Sequence, residues 1–177
     1  RPVCSPDGRW AYVPYLLGRS HLPTTQLSRG WVTTSALCII DLQNKLIYAT
    51  ALFDQSVDGA ANPYGATLSA DGCNLWATLA GVRELGKLDL RSLQTLIATN
   101  AAVRTNLSYD LSTLYRSNLL QRIPLPAEGP RGIALAPNQS RLAIAAYFGS
   151  QVLLTDTNGL VTSQIAMGAQ PADDSVR

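Results

Sequence analysis

Pro130-Arg131-Gly132-Ile133-Ala134-Leu135-Ala136-Pro137-Asn138-Gln139 opens a unit that runs to Asp156. Pro63-Tyr64-Gly65-Ala66-Thr67-Leu68-Ser69-Ala70-Asp71-Gly72 opens an earlier one that runs to Asp89. The spans are equal: 26 positions separate Pro63 from Asp89 and Pro130 from Asp156. A partial third copy begins at Ser5-Pro6-Asp7-Gly8 and reaches Asp41. Self-similarity at fixed spacing marks a repeat architecture, and it decides the fold before any single motif does.

Within each unit the pattern is short strands and tight turns. Asp7-Gly8 and Asp71-Gly72 supply positive-φ turn positions, and Asn138-Gln139 holds the matching place. The first unit has expected strands at residues 10–15, 36–42 and 45–53. The second has them at 65–69, 75–80 and 85–90, and the third at 132–136, 141–147, 151–155 and 160–167. These runs are apolar, β-branched or aromatic and of strand length. Asn158-Gly159 is the strongest hairpin signal in the chain.

Four short strands per repeat are the signature of a β-propeller blade. One blade has two apolar faces and cannot cover both alone; stacking around an axis covers them. The expected fold is all-β, three to four blades of a larger, seven-bladed ring. The units fall near 1–56, 57–126 and 127–168, with residues 171–177 starting a linker or helix toward a following domain. The sequence reads as a fragment, because a ring needs more blades than three.

Unequal spacings locate two insertions. The first unit carries extra residues between its second and third strands, in the polar stretch 16–34. The second carries them after its third strand. There Leu107, Leu111 and Leu114, at helical spacing, suggest short helices over 92–98 and 108–118. Ser108 is the expected N-cap, and residues 121–125 the outer strand. The alternative takes 93–99 as the outer strand and moves the insertion to the other face.

Composition excludes several function classes. The chain has 177 residues, 46% of them hydrophobic and 15% charged, with net charge +2. That charge is too small, and its Lys and Arg too scattered, for nucleic acid or an anionic membrane surface. No apolar run approaches the roughly 18 residues of a membrane span. Cys4, Cys38 and Cys73 follow no metal or haem spacing and read as small buried side chains in strands. There is no nucleophile elbow, phosphate loop or dinucleotide fingerprint.

The stretch from Ile123 to Asn138 has the form Ile-x-Leu, a gap, then Pro-x-Gly-apolar-Ala-apolar-Ala-Pro-Asn. With residues 5–13 and 63–80 it resembles the YVTN-type β-propeller repeat, over most of the chain. The first insertion carries Leu22-Pro23-Thr24-Thr25-Gln26-Leu27 and Arg29-Gly30-Trp31. With Leu79-Ala80-Gly81-Val82 and Tyr147-Phe148, it resembles bacterial propellers that precede a cytochrome c peroxidase-like haem domain. The resemblance implies a periplasmic or cell-surface protein, associated with electron transfer. Any haem c would lie in an adjoining domain, since no attachment motif is present.

Function in propellers sits on loops held by a rigid scaffold. The candidate loop face collects Arg19, His21, Arg29, Trp31, Asp58, Asn62, Arg131 and Tyr147. His21, the sole histidine, is either a solvated loop residue or a ligand or contact to a haem domain. Asp54, Asp58 and Asn62 are either a solvated loop or oxygen donors to a calcium ion. Arg131 either enters the central channel or forms a surface salt bridge, and Tyr64 holds the matching position one unit earlier.

The expected function is a non-catalytic scaffold or interaction segment, with a haem-bearing domain or another protein as partner, no nucleic acid and no membrane insertion. No catalytic residue and no metal site is assigned. The alternative is an enzyme resembling lactonase-like hydrolases or the large subunit of quinoprotein amine dehydrogenases, with Glu128 and Arg131 near the channel. Only one histidine is available to it.

Overall fold

The computed structural model describes residues 1–20, 23, 25 and 32–168. They form three four-stranded antiparallel sheets. The first is β1 (Val3–Cys4), β2 (Trp10–Gly18), β3 (Thr33–Asp41) and β4 (Leu46–Leu52), paired in chain order. The second is β5 (Pro63–Leu68), β6 (Asn74–Leu79), β7 (Glu84–Asp89) and β8 (Leu120–Pro124). The third is β9 (Pro130–Leu135), β10 (Arg141–Ala146), β11 (Gln151–Asp156) and β12 (Val161–Ala166). The result is an all-β, propeller-like arrangement with a short helical insertion. The expected strand at 121–125 is β8, and residues 93–99 are helix rather than strand.

The repeat dictates equivalent turns. Gly8, Gly72 and Gln139 all sit in the left-handed region, at φ 69°, 68° and 61°. In the second copy the Asp71 carboxylate accepts from the Ser69 hydroxyl at 2.5 Å and the Cys73 N–H at 3.0 Å. The first copy repeats this with Asp7, Ser5 and Arg9. Arg83 and Ser150, each last in a four-residue loop, are also left-handed, at φ 56° and 42°. A propeller repeat therefore conserves backbone geometry even where its turn residues differ.

Burial drives the stacking. Between the first and second sheets lie Tyr12, Leu37, Ile39, Phe53, Leu75 and Leu79. Between the second and third lie Trp76, Leu85, Leu142, Ile144 and Leu153. Each such side chain, once buried, contributes about 1.5–3 kcal/mol. The indole N–H of Trp76 donates to the Thr157 carbonyl at 3.0 Å, and Lys87 donates to Asn158 at 2.8 Å.

The second-unit insertion starts at once after β7. Its helices are α1 (Leu90–Thr99), α2 (Ala101–Asn106) and α3 (Thr113–Arg116), with a tight turn at Leu107–Tyr109. Asp89 caps α1 by accepting from the Ser92 N–H at 3.0 Å, and Asn100 caps α2 from Val103 at 3.1 Å. Ser108 is not a cap, contrary to expectation: the chain is already helical at Asn106. Leu90, Leu93, Ile97, Leu107 and Leu114 bury themselves in the core shared with the first sheet. The insertion thus adds its apolar side chains to the core between the first and second sheets. The first insertion is shorter than expected, because Leu16, Leu17 and Gly18 still pair with Ser35, Thr34 and Thr33.

Among the cysteines, Cys38 is buried in β3 as expected, whereas Cys4 is exposed and Cys73 half-buried in a turn. No helix among the described residues is long and apolar enough to cross a membrane.

Candidate functional site

Antiparallel pairing puts four described loops at one end of the sheets. Pro63 opposes Leu79 and Glu84 opposes Pro124, while Pro130 opposes Ala146 and Gln151 opposes Ala166. The turns at 53–62, 80–83, 125–129 and 147–150 therefore share that end with Arg19 and Val32, which flank the Gly18–Thr33 pair and are joined by a backbone bond of 2.7 Å. Backbone bonds tie them in pairs: Ala80 donates to Asn62 at 3.0 Å, and Tyr147 donates to Gly129 at 2.9 Å.

Arg131 is set by the innermost strands. Gly65 on β5 lies so close to β9 that a Cβ there would sit 2.3 Å from the Arg131 carbonyl oxygen. That carbonyl accepts from the Thr78 hydroxyl at 2.8 Å, and the same hydroxyl accepts from the Gly65 N–H at 2.9 Å. Thr78 is fully buried. One threonine thus joins three strands and holds the Arg131 backbone.

The Arg131 side chain turns over three aromatic rings. Its guanidinium carbon lies 4.6 Å from the Tyr147 centroid, 5.1 Å from Phe148 and 5.3 Å from Tyr64. Tyr147 and Phe148 meet edge to face at 5.3 Å. Among the described residues the Arg131 side chain has no carboxylate partner, and its Nε is buried without a hydrogen bond. It forms no salt bridge among the described residues, and the neighbouring acid, Glu128, faces Arg83 at 3.6 Å. A cavity of about 470 Å³ adjoins the cluster, with Tyr64, Arg131, Tyr147, Gln151 and Met167 on its walls.

The other expected residues divide between two arrangements. Asp58 pairs with Arg122 at 3.2 Å. Arg122 also donates to Glu84 at 2.5 Å and to the Asp58 and Gly59 carbonyls at 2.8 and 3.3 Å. Asp54 is only 1% exposed. Its two oxygens accept from the Ser35 N–H at 2.6 Å and the Ala60 N–H at 2.5 Å. Burial pushes its pKa up to about 6, against those two backbone bonds and the charges of Arg122 and Arg19. Asp54 and Asp58 are thus engaged separately. Asn62 is left-handed at φ 58° and contributes its carbonyl. No group of three metal-ligating His, Cys, Asp or Glu residues occurs among the described residues.

Arg19 is 2% exposed. It donates to the Ser108 carbonyl and stacks at 5.0 Å on Tyr109. It joins the two insertions, which the sequence places in different units. His21, Arg29 and Trp31 lie outside the described residues. Arg122 and Tyr109 are not legible in the sequence as site residues, and Phe148 reads there only as a loop position. The adjacent aromatics at 147–148 in a loop were a usable signal for Phe148, whereas Arg122 has the ordinary appearance of an outer-strand residue.

No protein-family model matches the chain. Hydrazine synthase subunit beta of Kuenenia stuttgartiensis is 25% identical over 155 residues, which are 88% of this chain and 40% of that protein. The solved hydrazine synthase of the same organism superposes with a TM-score of 0.79 at 24% identity, covering 90% of this chain and 45% of that one. A functionally unknown protein from Desulfotomaculum acetoxidans (TM-score 0.57, 9% identity, 96% and 43% covered) is also similar. So is catalytically inactive virginiamycin B lyase from Staphylococcus aureus (0.55, 13%, 96% and 41%). The chain spans about 40% of the length of the curated relative. The solved structures establish a shared fold.

Proposed function

We propose that this chain is a propeller segment that acts as a non-catalytic interaction scaffold in a multi-subunit assembly. The assembly is periplasmic or at the cell surface, and haem c is carried by an adjoining domain or a partner. Similarity to a protein named as a subunit, over 88% of this chain, supports the assembly role.

The observation that carries the reading is the Arg19 bridge. A buried guanidinium that reaches Ser108 and Tyr109 fixes two separate insertions against each other. A loop end elaborated and braced in this way presents a preformed surface, and preformed surfaces bind with less ordering cost. Arg19 braces the docking face from within; His21, Arg29 and Trp31 are its proposed contact residues, and Asp58, Asn62 and Tyr147 extend it. The haem itself would be held by the partner. This chain's part is to position it.

The test is to purify the natural full-length gene product without tags that disturb assembly. Its mass is measured by light scattering and its reduced-minus-oxidised visible spectrum recorded. A co-purifying subunit with a c-type haem spectrum is expected. A colourless monomer would overturn the reading.

A further inference from the structure

We propose that the cavity beside Arg131 binds a small amphipathic carboxylate, an aromatic or short-chain monocarboxylic acid, with its carboxylate on the guanidinium. This site shares Tyr147 with the docking end, but the assignment does not rest on the scaffold role.

Arg131 carries a fixed positive charge, no carboxylate answers it among the described residues, and its Nε is buried without a hydrogen bond. Buried donors are nearly always paired, so an orphan of this kind points to a missing acceptor. Stacking on Tyr147, Phe148 and Tyr64 offsets part of the charge through the ring faces. It cannot satisfy N–H groups that lie in the guanidinium plane.

The cavity supplies the rest. Its volume of about 470 Å³ is within the roughly 300–1,000 Å³ usual for small-molecule sites. Its wall is mainly apolar, with Ala145, Val152 and Met167 beside Tyr64 and Tyr147, and Gln151 as a polar neighbour. Among the described residues no second Lys or Arg lines it. One planar fork with one charge suits one carboxylate in bidentate geometry, whereas a phosphate dianion would lack a second cation.

The backbone is prepared for this task. Thr78 holds the Arg131 carbonyl at 2.8 Å, and Gly129, left-handed at φ 61°, gives the Phe148 ring its space. The guanidinium therefore stands on the rigid inner strands rather than on a loop.

Titration calorimetry on the full natural protein tests the assignment with benzoate, its neutral isostere benzamide, inorganic phosphate and N-acetylglutamate α-amide, which keeps its side-chain carboxylate. Benzoate is expected to bind at least about tenfold tighter than benzamide, the margin of one charge-assisted bidentate contact, and phosphate not to compete. Arg131→Met, which keeps an apolar stem, is expected to lose that margin. Ala145→Leu leaves the guanidinium intact and narrows the cavity, and is expected to weaken benzoate binding. It guards against a folding failure in the first variant. Equal affinity for benzoate and benzamide, unchanged benzoate binding in either folded variant, or no benzoate binding would overturn the proposal. So would tighter binding of the glutamate amide, which would assign the site to a partner's acidic side chain.

Discussion

The guanidinium of Arg131 stacks 5.3 Å from the ring of Tyr64, and the two residues hold the same place in successive repeats. Each is the second residue of an innermost strand, β9 and β5. Adjacent copies of one repeat position therefore touch, and the pair can differ in chemistry without disturbing the strands that carry it. The strands meet at Gly65, where there is no room for a side chain.

Gly65→Ala is expected to destabilise the protein by about 1–3 kcal/mol, the usual penalty for overpacking. Its Cβ would press on a backbone oxygen, 2.3 Å away, which cannot rotate aside. The relief is to move β9 from β5, which also breaks the Thr78 bridge. Urea unfolding measures the loss. A stability within about 0.5 kcal/mol of wild type, the usual range for surface changes, would mean that the strands are not in contact at this point.

Arg122 provides a second test. Its side chain is 6% exposed and Glu84 is 17% exposed. Arg122→Ala would leave the Glu84 carboxylate and the Asp58 and Gly59 carbonyls without their donor. Breaking a buried pair from one side costs about 3–5 kcal/mol. Replacing Arg122 and Glu84 together by Met and Leu is expected to recover much of that loss. Thermal melts of the single and double variants decide it, and an additive result would show that the ion pair is not coupled.

The fold was legible because the propeller repeat writes its turns into the chain. Asp7-Gly8, Asp71-Gly72 and Asn138-Gln139 gave the left-handed positions, and apolar alternation gave most strands. The insertion was harder. Ser108 has the composition of a cap, yet Asp89 and Asn100 cap the helices because each ends a preceding element just where free N–H groups begin. The site was less legible still. Asp54 and Asp58, two acids four positions apart, suggest a shared ion in sequence. In space, one faces backbone N–H groups and the other Arg122. Contacts such as Arg19 with Tyr109, or Arg131 with Tyr64, join different units, and one-dimensional spacing does not encode them.

The Arg19 bridge predicts a local effect. Arg19→Met keeps an apolar stem but removes the bond to Ser108 and the cation over Tyr109. Each contact of this type contributes about 0.5–3 kcal/mol. Faster amide hydrogen exchange is expected in the Leu107–Tyr109 turn, with little change in β10 and β11. Uniformly faster exchange would show that Arg19 supports the whole structure rather than the junction of the insertions.

Asp54 predicts a pH dependence of defined sign. A carboxyl whose pKa rises from 3.8 to about 6 takes up a proton on folding between those values. Its contribution to stability is therefore fully present below pH 3.8, falls as pH rises through this window, and is constant above it. Asp54→Asn removes the titration and retains the size of the side chain. The stability difference between wild type and variant is expected to be largest near pH 4 and to shift by about 2–3 kcal/mol against the wild type by pH 7, at about 1.4 kcal/mol per pKa unit. Asp71, held down to about 2 by the Ser69 hydroxyl and the Cys73 N–H, slopes the other way. Both proteins carry it, so it cancels in the difference. Urea unfolding at several pH values between 4 and 7.5 measures the trend. A difference that moves in favour of the wild type as pH rises would mean that the Ser35 and Ala60 donors outweigh burial and hold Asp54 ionised throughout.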